Sequence, residues 1–69
     1  MIEVFKTDVQ NAAEAERIIG LLLQHYPDGR INFDLQDCDK ILRIVNNEIC
    51  PREIAGIIKS CGYQCEVLQ

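Results

Sequence analysis

The sequence predicts an α+β fold in the order βαββαβ, a four-stranded antiparallel sheet with two helices on one face. Three observations carry this. Two stretches repeat apolar residues at three- and four-residue steps: Ala15, Ile18, Ile19, Leu22 and Tyr26, then Ile54, Ile57, Ile58 and Cys61. Each is one face of a helix. Between them Ile31, Phe33 and Leu35 alternate with Asn32, Asp34 and Gln36, the pattern of a half-buried strand. Turn residues punctuate the chain at Pro27-Asp28-Gly29, Asp37-Cys38-Asp39 and Asn46-Asn47.

Taken in order, Ile2 to Lys6 is a β-rich run with Ile2 and Val4 two apart. Asn11 followed by Glu14 has capping-box spacing, so the first helix runs from about Ala12 to His25. Gly20 inside it lowers helix preference by about 1 kcal/mol, which suggests a close contact there. The second strand is Ile31 to Gln36, and the third is Lys40 to Val45 with Leu42 and Ile44 on one face. Pro51 suits the first position of the second helix, where its missing N–H is not needed. Gly62 stands where a left-handed helix stop belongs. Tyr63, Cys65 and Val67 then alternate along a fourth strand.

Two βαβ halves with right-handed crossovers place both helices on one side of the sheet. This is the ferredoxin-like arrangement, with strands one and three central and strands two and four at the edges. At 69 residues the chain is a single domain, residues 1–69. The net charge is −4 with no Lys/Arg cluster, which disfavours nucleic acid and anionic membranes. No apolar run approaches the roughly 18 residues of a membrane span, so no membrane insertion is expected. The N-terminus lacks the pattern of a secretory signal, and the expectation is a cytoplasmic protein with its four cysteines reduced.

The topology brings three loops to one pole: Thr7 to Asn11, the hairpin Asp37-Cys38-Asp39, and Cys61-Gly62-Tyr63. Cys50 and Pro27 belong to the other pole. His25 ends the first helix there, where it complements the negative helix end; no cysteine or acid pair is expected around it.

The run Cys61-Gly62-Tyr63-Gln64-Cys65-Glu66 and the Thr-led loop Thr7-Asp8-Val9-Gln10-Asn11 together resemble the heavy-metal-associated domain family of copper chaperones and copper-pump N-termini. Asp34-Leu35 and Gly62-Tyr63 also fall where that family has similar residues. The aromatic after the glycine is like the pump domains. The resemblance spans essentially the whole chain and implies an open-faced sandwich that binds or delivers a soft metal and docks a partner through the loop pole. The family's loop reads Thr-Cys-x-x-Cys. Here Asp8 and Asn11 occupy the two cysteine positions, and Lys6 stands where Met is usual. Two thiolates suit Cu(I) because sulfur is soft; Asp and Asn offer hard oxygen instead. The family's metal site is therefore not carried over to any residue.

A relocated site would use Cys38, Cys61 and Cys65, with Cu(I) or Zn(II) as the ion. Against this, Cys61 continues the second helix's apolar stripe and Cys65 shares the inward face with Tyr63, where free cysteine packs as a small hydrophobe. Cys38 on its turn has only Lys40 as a basic neighbour to lower its pKa. Asp8, Asp37 and Asp39 are expected to converge as an acidic pole, more in keeping with a protein contact than with an ion site. A partner would meet Asp8, Asn11, Asp37, Asp39 and Tyr63, and would present a basic docking surface; the resemblance suggests a metal transporter. The resemblance also implies that Tyr63 packs under the first loop.

No phosphate loop or nucleophile–base pair points to an enzyme, and the chain is short for enclosing a pocket of about 300 Å³. Two readings follow: a soft-metal protein of the family's kind, degenerate in its loop, or a metal-free interaction module. Fold analogy alone adds a third, a regulatory ligand-binding domain, dimeric through an edge strand or the sheet face.

Overall fold

Phe5 and Thr7 lie on the same side of the first strand, and the protein's interior is built on that side. The computed structural model describes residues 1–68. Its elements are β1 (Ile2–Thr7), α1 (Ala12–His25), β2 (Arg30–Asp34), β3 (Ile41–Val45), α2 (Pro51–Ser60) and β4 (Cys65–Leu68). All strand pairs are antiparallel and the spatial order is β2-β3-β1-β4. This is the ferredoxin-like βαββαβ layout, with β1 and β3 central as expected.

The register explains the core. Phe5 stands opposite Leu42 on β3 and Val67 on β4, and Phe33 stands opposite Leu42 from the other side. Phe5, Leu42 and Ile44 are fully buried beneath Ile18 and Leu22 of α1 and Ile54 and Ile58 of α2. Burying an aliphatic or aromatic side chain of this size contributes about 1.5–3 kcal/mol, so these seven positions are the main stabilising set. The opposite face of the sheet carries Lys6, Arg43, Arg30, Asn32 and Glu66, all exposed.

Local signals set the element ends. Asn11 caps α1: its Oδ1 accepts the Glu14 N–H at 2.9 Å. The Glu14 carboxylate reaches back one residue further than the capping-box spacing implies, accepting the Gln10 N–H at 3.1 Å. Gly62 adopts φ +95°, which a side chain would strain. There the Gly62 N–H donates to the Lys59 carbonyl and the Tyr63 N–H to the Ile58 carbonyl, closing α2 in a Schellman motif.

Two expectations are corrected here. Gly20 makes no close contact; it is exposed, and a Cβ added there would meet nothing within 4 Å. His25 does have an acid beside it: its Nδ1 lies 3.5 Å from the Glu53 carboxylate on α2, because α1 ends where α2 begins.

Candidate functional site

Thr7 is the hinge of the loop pole. Its side chain is buried, and its Oγ1 donates to the Lys40 carbonyl at 2.6 Å while accepting the Val9 N–H at 3.3 Å. Its backbone N–H donates to the Asp39 carbonyl at 3.0 Å. The first loop and the β2–β3 hairpin are thus bonded to each other. Val9, alone among polar neighbours in that loop, is fully buried and pins the loop from below.

The hairpin has its own internal order. Asp34 Oδ1 accepts the N–H groups of Gln36 and Asp37 at 3.2 and 3.3 Å, and Asp37 Oδ1 accepts that of Asp39 at 2.9 Å. Lys40 follows with φ 46°, a left-handed conformation that costs a non-glycine residue roughly 1 kcal/mol or more. Three contacts offset that strain: its N–H donates to Asp37, its Nζ to the Leu35 carbonyl, and its carbonyl accepts from Thr7.

The third loop is tied in by Asp8. Its Oδ1 accepts the Gln64 N–H at 2.7 Å. Next to this, the Tyr63 hydroxyl donates to Glu14 Oε2 at 2.9 Å and accepts from Arg17 at 3.1 Å. Tyr63 therefore bridges to the first turns of α1. The Gln10 N–H and the Tyr63 hydroxyl hold the Glu14 carboxyl below its usual range. The same bond to Glu14 pushes the Tyr63 hydroxyl above its usual value.

The acidic residues divide differently from the expectation. Asp8 does not join Asp37 and Asp39; it is turned to Gln64. Asp39 is paired with Lys6 at 3.6 Å, and both are half-exposed. An open cleft of about 460 Å³ runs beside the start of β4, lined by Lys6, Lys59, Tyr63, Cys65 and Glu66 among others. The pole is thus acidic on its hairpin side and mixed, with two lysines, on its β4 side. The cleft is a surface groove without enclosing walls.

The cysteines are likewise separated. Cys38 is exposed at the hairpin tip, and its Sγ lies with carboxylate oxygens of Asp37 and Asp39 within 4.8 Å of one another. Among the described residues no such group of three contains Cys61 or Cys65. Sheet order gives the reason. The hairpin joins β2 and β3, whereas Cys65 of β4 pairs with Thr7 of β1 on the far side of the sheet, about 12 Å away at ordinary strand spacing. Cys65 is buried, and burial pushes its thiol up to about 11, with Lys59 pulling weakly the other way. Cys61 is the half-buried C-cap of α2. Cys50 is the exposed N-cap of α2, its N–H donating to the Tyr26 hydroxyl at 3.3 Å at the opposite pole.

Comparison with known protein families, with curated proteins and with solved structures gives no match. No helix among the described residues is long and apolar enough to cross a membrane.

Proposed function

We propose that this chain is a protein-docking module that works without a bound soft metal, and that it descends from the heavy-metal-associated family it resembles. The observation that carries this reading is the bond from Asp8 to the Gln64 backbone. Asp8 stands where the family's loop has its first thiol, and its oxygen joins the first loop to the turn after α2. Asn11, at the second thiol position, caps α1. Asp8 thus ties the first loop to the third, Asn11 fixes the start of α1, and Thr7 bonds the first loop to the hairpin. A surface ordered in advance binds with little further ordering cost, which favours docking.

The expected contact surface is Asp37 and Asp39 on the hairpin together with Asn11 and Tyr63, facing a basic partner surface. Opposite charge across such a rim acts mainly on association rate and salt dependence. A lysine-rich decapeptide is a direct probe. Amide shifts on titration are expected at residues 8–11, 34–40 and 62–64, and the replacements Asp37→Asn with Asp39→Asn should weaken binding and flatten its salt dependence. These variants keep the acceptor oxygens of the turn. Shifts scattered over the surface, or binding unchanged by the double variant, would remove the proposed surface.

A further inference from the structure

One of the two edges of the sheet, β2, reads Arg30-Ile31-Asn32-Phe33-Asp34, and this strand is palindromic in its chemistry. Set antiparallel to a copy of itself about Asn32, it places Arg30 opposite the second copy's Asp34 at both ends. Ile31 then meets the second copy's Phe33, and Asn32 meets Asn32. β2 is bonded only to β3, so its outer flank has free backbone donors and acceptors. The strand holds no proline and no lysine, two devices that commonly block edge pairing.

Each part of the strand is incomplete alone. Arg30 and Asp34 are exposed on the open face and about 13 Å apart along the strand, too far to pair with each other. Arg30 takes part in neither ion pair found among the described residues. Asp34 uses Oδ1 within its turn and keeps its charge and second oxygen. Ile31 and Phe33 lie on the helix side, only partly buried against the core.

The helix above repeats the pattern. α1 packs over β2, and its flank bearing Glu14, Arg17 and His25 turns inward to Tyr63 and Glu53. The opposite flank carries Ile19 and Leu23 one turn apart. Leu23 is 38% exposed and belongs to the exposed large hydrophobics.

We infer that the chain forms a two-fold homodimer by antiparallel pairing of β2 about Asn32, joining the two sheets into one. The Ile19–Leu23 flanks of the two α1 helices then face each other above the joint. The register is specific. A one-residue slip would put the two helix layers on opposite faces of the sheet. A two-residue slip would set Arg30 against Asn32 and lose both charge pairs.

The test is sedimentation equilibrium of the full chain across a dilution series, with folding of each variant checked by circular dichroism. The wild type should be a dimer that dissociates on dilution. Arg30→Asp should weaken the dimer about tenfold or more, because both end pairs turn from attractive to repulsive. Asp34→Arg should do the same, and an equimolar mixture of the two variants should regain dimers, since each then complements the other. Should Asp34→Arg fail to fold, Asn32→Cys in a Cys38→Ser, Cys50→Ser background supplies the second measurement. It should cross-link rapidly across the two-fold axis on mild oxidation. A wild type that stays monomeric, a dimer indifferent to Arg30→Asp, a mixture that does not associate, or the absence of cross-linking each overturns the inference.

Discussion

Asp8 Oδ1 reaches across 56 residues of chain to the Gln64 N–H, and Lys6 reaches Asp39 nearby, so two polar contacts compete as explanations of the loop pole. Their magnitudes decide between them. A hydrogen bond to a charged acceptor is worth about 1.5–3 kcal/mol, somewhat less near solvent. A half-exposed ion pair is worth about 0–1 kcal/mol and is screened by salt. Asp8→Ala should therefore destabilise the protein by about 1–2 kcal/mol in urea unfolding, whereas Asp8→Asn, which keeps the acceptor, should lose clearly less. No loss in Asp8→Ala would show that the bond contributes nothing. Cys65 gives a second prediction at this scale. Its thiol is raised from 9.0 to about 11 by burial, so the native state resists ionisation that the unfolded chain accepts. The stability this contributes is complete below pH 9 and lost as pH rises through about 11. Wild type should lose stability faster than Cys65→Ala across that window, and parallel curves would remove the burial argument.

α1 shows how far local pattern carries and where it stops. Its bounds, Ala12–His25, follow from the Asn11 cap and the apolar stripe, both visible in the sequence. Gly20 is the exception within it. Because it lies exposed with open space around it, Gly20→Ala should stabilise by about 0.5–1 kcal/mol through helix preference and unfolded-state entropy alone. A destabilisation on thermal unfolding would mean that the helix needs the glycine. The Gly62 stop and the burial of Cys65 are equally legible, since each rests on turn chemistry or short-range periodicity, and strand order follows from the element order with right-handed crossovers. The partners of Asp8, Glu14 and Tyr63 are not legible, because hydrogen bonds between distant residues leave no trace in a periodic pattern. Val9 left only a faint one, a single apolar residue in a polar loop. The separation of Cys38 from Cys65 is implicit in the strand order, which puts the hairpin and β4 on opposite sides of β1 although both lie at one pole.

At the scale of the whole molecule, the loops of one pole are bonded to one another and the β2 edge lies at the far side of the sheet from β4. Docking at the pole and self-pairing at the edge meet at Asp34, which ends the edge strand and whose Oδ1 orders the hairpin; Arg30, at the other end of β2, belongs to the edge alone and separates the two in a test. The pole is held by oxygen acceptors and backbone donors, and the proposed docking needs no soft metal. Anaerobic titration of the fully reduced protein with Cu(I) against a competing chelator tests it most directly, alongside a variant carrying Cys38→Ser, Cys61→Ser and Cys65→Ser. Binding should be no tighter than that of an unrelated thiol-bearing protein. Tight one-to-one binding, lost in the variant while its fold survives, would contradict this and return the molecule to metal handling.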